Sequence, residues 1–287
     1  MKKILVLFSF FLVVLACKKE PSNERQSTEI CYSQKELCDK KYNEVCFLGS
    51  HNAFNYKGPF AFPNQNISIV KQLERGVRCF LIDIYKEGDQ LILYHSFKPL
   101  GFQTAETVFG GLKTYMEAHP EDVVTLIIQN DVSVSDLGNF YRSFGLEPIA
   151  YIHDDAKGWP TLGEMVISGR RLVSMVESGD GGLASNPFIL EGYDYMFENE
   201  YEHTNLSDFD CDENRGSGGK REIYLLNHWI GGIGDEEGAK KVNKYDFLSN
   251  QAKDCMTQKG RIINFIALDF VDLGDGLKVV NEINGVE

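Results

Sequence analysis

The chain has 287 residues, 43% of them hydrophobic, which suits one large domain with a substantial core. Its formal charge of −13 argues against nucleic-acid binding, which needs clustered Lys and Arg. An acidic surface is not drawn to anionic lipid by charge alone, so any membrane association needs another cause.

The N-terminus supplies one. Two lysines precede an apolar run from Ile4 to Ala16, too short for an ordinary transmembrane helix but right for an export signal over residues 1–16. Val14-Leu15-Ala16-Cys17 resembles the bacterial lipobox, which predicts lipidation of Cys17. The expected product is an exported lipoprotein, anchored in the periplasm or at the outer membrane or cell surface. Residues 17–29 read as a flexible tether and 30–287 as a single folded domain. Six cysteines then remain, an even number that points to disulfides in an exported protein. Cys31 with Cys38 closes a short local loop, and Cys211 with Cys255 is the second expected pair. No CxxC pair supports a zinc site, and Cys46 and Cys79 are expected as buried thiols.

In chain order, short β-branched runs alternate with helical patterns. The expected strands are Val45–Ser50, Cys79–Tyr85, Leu91–Tyr94, Val123–Gln129, Pro148–Ile152, Leu172–Val176, Glu222–Asn227 and Ile262–Asp269. The expected helices are Ile67–Glu74, Thr104–Ala118, Ser135–Phe144, Leu162–Ser168, Ala239–Thr257 and Gly276–Asn284. Eight such strands predict an α/β fold, an irregular (β/α)8 TIM barrel. The link at 86–90 is too short for a helix, so an antiparallel step or a missing helix is expected there. Residues 177–221, rich in Gly, Asp and Asn, read as an elaborated loop over one rim. A doubly wound open sheet is the alternative architecture, without a GxGxxG to support it.

Barrel chemistry gathers at the C-terminal ends of strands. There the sequence places His51-Asn52, Asp83, His95, Gln129-Asn130-Asp131, Glu177, His228 and Asp269. Two histidines across a barrel mouth suit phosphodiester cleavage, one taking a proton from the attacking hydroxyl and one giving a proton to the leaving oxygen. The remaining histidines, His119, His153 and His203, are expected at the surface. Trp229 and the glycines of 230–234 suggest a mobile lid. No GxSxG, HExxH or Walker loop supports another chemistry.

GSHNAF around His51, QLERGVR followed by FLID at Asp83, and LYHS at His95 resemble the motifs of the phosphatidylinositol-specific phospholipase C X-domain superfamily. The similarity is closest to its plant and bacterial phosphodiesterase branch, which has counterparts of EDVVTLII at 121–128, WPTL at 159–162 and NFIALDF at 264–270. The resemblance implies His51 as general base, His95 as general acid and Asp269 as orienter of His51. It also implies a lipid or other phosphodiester substrate. Arg78, Glu177 and His228 are candidate substrate contacts. The residue two after Asp83, an arginine in metal-independent members, is Tyr85 here. Calcium-dependent members often carry acidic ligands at positions matching Leu81 and Gln129. A single divalent ion, with Ca2+ the candidate, is therefore expected at Asn52, Asp83 and Gln129, Asn130 or Asp131, against a site with no metal. The expected protein is a monomer and a phosphodiesterase acting on inositol lipids. The alternatives are action on a soluble glycerophosphodiester or glycan phosphodiester, and a non-catalytic barrel that binds a headgroup.

Overall fold

The computed structural model describes residue 31 and residues 35–218, 221–231 and 234–286. The expected signal, Cys17 and the tether lie outside the described residues. Eight parallel strands form the wall: β1 (Phe47–Ser50), β2 (Cys79–Glu87), β5 (Val124–Asp131), β6 (Leu172–Val176), β7 (Leu190–Glu191), β8 (Met196–Glu198), β9 (Ile223–His228) and β10 (Phe265–Leu268). Their order around the wall is β7-β6-β5-β2-β1-β10-β9-β8. The end strands β7 and β8 do not pair with each other, so the ring is open along one seam.

Two expected strands take other roles. The run at 91–94 is β3 (Gln90–Leu93), which folds back antiparallel on β2 with Tyr85 opposite Ile92, the step the short link required. A two-residue β4 (Gln103–Thr104) pairs with it. Pro148–Ile152 is not a strand: Glu147–Ile149 forms a 3-10 turn, and only Ala150 bridges to Leu172. Pro148 has no N–H to give a ladder, which disfavours a central strand. The two barrel positions are filled instead by β7 and β8, both inside the stretch expected to be loop.

Helices α1 (Ile69–Glu74), α2 (Ala105–Ala118), α3 (Val134–Phe144), α4 (Leu162–Ser168) and α8 (Gly276–Asn284) match the periodic segments. Thr104, Ser133 and Thr161 cap α2, α3 and α4 by accepting backbone N–H bonds, each a contribution of about 1 kcal/mol. The tetrapeptide Gly192–Tyr195 forms the short α5. The expected helix at 239–257 is two, α6 (Glu236–Val242) and α7 (Tyr245–Lys259), parted at Asn243. Asn243 is buried and donates its amide N–H to the Asp269 carbonyl at 2.9 Å, which ties the break to the end of β10.

Alternation along the strands separates two cores. Phe47, Cys79, Ile127, Val173, Met175, Met196, Ile223, Leu225, Phe265 and Ala267 face inward. Tyr42 and Trp159, 4.8 Å apart, join them and close the barrel's lower end. Leu48, Phe80, Ile82, Leu126, Phe197, Tyr224, Leu226 and Ile266 face outward beneath the helices. The expected disulfides are present: Cys31–Cys38 in the lower plug, and Cys211–Cys255 tying the long rim loop to α7. Cys46 and Cys79 are buried thiols.

Candidate active site

The same alternation decides what reaches the upper mouth. Continuing the inward parity past Gly49, Leu81, Ile127, Met175, Leu225 and Ala267 gives His51, Asp83, Gln129, Glu177, Asn227 and Asp269. The first five border one cavity of about 500 Å³, with Asn52, His95, Arg215, Tyr201, His203 and Trp229. Asp269 lies directly behind His51.

His51 Nδ1–H donates to Asp269 Oδ1 at 2.8 Å, so Nε2 carries the lone pair of a neutral imidazole. Asn52 Nδ2–H donates to that Nε2 at 3.0 Å. Asp269 is buried, and its second oxygen accepts from Asn64 Nδ2 at 3.0 Å. Asn64 Oδ1 in turn accepts from Asn55 Nδ2 at 2.7 Å. Gln65 joins the two strand ends by donating to the carbonyls of His51 (2.7 Å) and Leu268 (3.0 Å). Across the cavity, His95 Nδ1–H donates to Asp83 Oδ2 at 3.2 Å. The two imidazole centroids are 6.5 Å apart. The mouth therefore holds two histidine–carboxylate pairs facing one space, able to take a proton on one side and give one on the other.

Backbone strain marks the same positions. Asn52, Ser96 and Phe270 are the non-glycine residues with positive φ among the described residues, at 45°, 58° and 46°. Each directly follows one of the three residues His51, His95 and Asp269. Such conformations cost about 1–3 kcal/mol apiece and persist where surrounding structure enforces them.

Asn52, Asp83 and Gln129 fit a hard cation in kind. Asn52 Oδ1, Asp83 Oδ1 and Gln129 Oε1 belong to side chains bordering the cavity and have no hydrogen-bond partner among the described residues. Such carboxylate and amide oxygens are the donors Ca2+ takes, although one carboxylate supplies little charge. Asn130 is turned aside, bonding the Ser178 carbonyl at 2.8 Å, and Asp131 accepts from Gln129 Nε2 at 3.2 Å. The one group of three His or carboxylate ligand atoms within 4.8 Å of one another, among the described residues, is His119, Glu121 and Asp122. Its Asp122 is taken up by Arg78 and Tyr115.

Four expectations are corrected. Arg78 precedes β2 at the opposite end of the barrel, where it pairs with Asp122 at 2.7 Å and bonds the Leu73 and Val77 carbonyls. His228 has outward parity and is fully buried beneath α6 and α7, where Nε2–H donates to the Val242 carbonyl at 2.8 Å. Burial lowers its pKa to about 4, and its Nδ1 lies against Gln251 Oε1. His203 is buried rather than at the surface, and Trp229 is packed against His51 rather than raised as a lid.

Arg215 has no role in the sequence reading. Arg215 Nη1–H donates to Glu177 at 2.7 Å and Nε–H to Glu198, and its guanidinium lies 4.9 Å from the Tyr193 ring and 5.1 Å from that of Tyr201. Burial lowers its pKa, but the carboxylates of Glu198 and Glu177 more than reverse this, so it stays charged. The available signal was its isolation: it is the one Lys or Arg between residues 177 and 218, amid many acids.

Both the sequence and the fold are similar to those of known proteins. The sequence matches the family described as PI-PLC X 1 over residues 37–284. It is 30% identical over 277 residues to PI-PLC X domain-containing protein 1 of Arthroderma benhamiae, covering 90% of each chain. A second relative from that organism, described as an uncharacterized secreted protein, is 26% identical over 292 residues, covering 91% of this chain and 64% of that one. The fold is similar to that of the phosphatidylinositol-specific phospholipase C from Listeria monocytogenes, with a TM-score of 0.60 at 14% identity, covering 86% of this chain and 94% of that one. On its sequence match, the chain belongs to the PI-PLC X domain family.

Proposed function

We propose that the protein is a phosphodiesterase of the phospholipase C type that cleaves inositol lipids by general acid–base catalysis. The observation that carries this is the pair of histidine–carboxylate couples facing one cavity 6.5 Å apart. His51 Nε2 takes the proton of an attacking hydroxyl, while Asp269 fixes the tautomer and steadies the imidazolium that forms. His95, oriented by Asp83, protonates the leaving glyceride oxygen. A divalent cation held by Asn52, Asp83 and Gln129 would supply charge opposite the phosphoryl oxygens. Glu177 and the Arg215 guanidinium also border the cavity, where an acceptor and a donor suit the vicinal hydroxyls of a polyol.

A second observation favours a lipid over a soluble diester. Phe97, Phe62, Phe102 and Leu100 are 60, 53, 47 and 37% exposed, beside the cavity-lining Ser96. Their two loops are locked together: Ala61 N–H donates to the Leu100 carbonyl at 2.8 Å, and a Cβ on Gly101 would meet the Pro59 oxygen at 2.5 Å. Lys98 lies 4.8 Å over the Phe102 ring. Exposed aromatics beside a basic group suit the boundary of a bilayer. Among the described residues no helix is long and apolar enough to cross a membrane. Export and lipidation at Cys17 belong to the same proposal; a Cys17→Ala chain is expected to leave the membrane fraction.

The test is cleavage of phosphatidylinositol vesicles, with and without chelator, by wild type, His51→Ala and His95→Ala. Each substitution is expected to cost about 10²–10⁴ in kcat, with a cyclic inositol phosphate as the wild-type product. Unchanged rates in both variants refute the two-histidine mechanism. Intact phosphatidylinositol together with turnover of glycerophosphoinositol would move the substrate to a soluble diester.

A further inference from the structure

His51 has a neighbour that proton transfer alone does not require. The Trp229 indole lies flat on its imidazole, with centroids 3.7 Å apart and planes within 6°. Trp229 directly follows β9 and is 6% exposed. It is held in turn by His203, whose Nδ1–H donates to the Trp229 carbonyl at 3.0 Å, while Gly231 N–H donates to the His203 carbonyl at 2.9 Å. His203 is 2% exposed and stacks on Phe209 with centroids 4.2 Å apart. Both residues belong to the rim segment that the Cys211–Cys255 disulfide fastens to α7 and that brings Tyr201 and Arg215 to the cavity.

We propose that Trp229 is a positioning residue for His51, and that His203 holds it in place. The rim segment that faces the headgroup would then also set the plane of the base. The proposal rests on the reading of His51 as base. Asp269 pins one ring nitrogen, and the torsion about the Cβ–Cγ bond of a histidine is broad. The hydrogen bonds at Nδ1 and Nε2 meet the ring at its edge and leave its faces unsupported. A rigid aromatic face along the whole ring keeps it from tilting and aims the Nε2 lone pair into the cavity. A misplacement of about 1 Å at a reacting atom costs about a hundredfold in rate.

The experiment compares Trp229→Phe, Trp229→Leu, His203→Ala and His51→Ala on phosphatidylinositol vesicles, and follows the His51 ring protons by NMR. Trp229→Leu is expected to lower kcat about ten- to a hundredfold with KM within about threefold, and Trp229→Phe to restore most of the loss. His203→Ala should fall between them. The ring protons should be shifted upfield in wild type and in Trp229→Phe, and return to ordinary positions in Trp229→Leu. Equal losses for Phe and Leu, or a Leu variant with wild-type kcat while His51→Ala is inactive, overturn this inference alone. An active His51→Ala overturns the base assignment and this inference together. If Trp229→Leu does not fold, an unchanged rate and unchanged ring protons in His203→Ala overturn the proposed coupling.

Discussion

Asp269→Asn conserves shape yet should cripple the enzyme, and the reason is the direction of its hydrogen bonds. Both partners of the carboxylate are donors: His51 Nδ1–H at 2.8 Å and Asn64 Nδ2–H at 3.0 Å. An amide in that place must aim its own NH2 at one of them. Turning it toward Asn64 demands that Asn64 flip, which would set its NH2 against Asn55 Nδ2–H, now 2.7 Å from the Asn64 oxygen. Asn55 cannot yield freely, because it also donates to the Phe62 carbonyl at 3.2 Å. The conflict is least costly when the new amide faces His51, which drives the imidazole proton to Nε2 and removes the base. The substitution loses one charge-assisted bond, about 1.5–3 kcal/mol, and leaves the wrong tautomer for general base work, about 10²–10⁴ in rate. We expect kcat to fall at least a hundredfold with KM within about threefold, measured as phosphate ester release from vesicles at saturating lipid. Asp269→Ala imposes no tautomer and should be no worse than the isosteric change. An Asn variant within about threefold of wild-type kcat, with its fold intact by circular dichroism, refutes the reasoning.

Three further outcomes follow from named groups. His228 is held neutral with its pKa near 4, below the ordinary 6.5, so protonation favours the unfolded chain. Its stabilisation is complete above about pH 6.5 and fades as pH falls toward 4, by about 3 kcal/mol in all, and urea midpoints for His228→Gln should lose most of that slope. Opening the Cys211–Cys255 disulfide frees a 44-residue separation, about 4 kcal/mol of stability in the chain-entropy account; a melting temperature unmoved by Cys211→Ser would contradict it. Arg215→Met should raise KM for phosphatidylinositol about ten- to a hundredfold while kcat moves less, and a pure kcat loss would remove Arg215 from headgroup binding.

The parts of this site legible in the sequence are those that strand parity governs. His51, Asp83, Gln129, Glu177 and Asp269 continue inward-facing positions, and their clustering follows from the alternation itself. His228 failed because position past a strand was weighed without parity: Asn227 faces in, so its neighbour faces out. The strand count came to eight through compensating errors. Leu190–Glu191 and Met196–Glu198 are too short to show a period and lie in a polar segment, whereas Pro148–Ile152 has the apolar content of a strand without the N–H groups. Arg215 reaches the site through tertiary contacts of a long loop, which no local pattern encodes.

A closed barrel of eight strands has a bore fixed by strand number and stagger. Here β7 and β8 leave the ring split, and Arg215 bridges the two sides through Glu177, which follows β6, and Glu198, which ends β8. The wall beside the cavity is thus a split collar, and its clasp is one guanidinium and two carboxylates in place of a ladder of backbone hydrogen bonds.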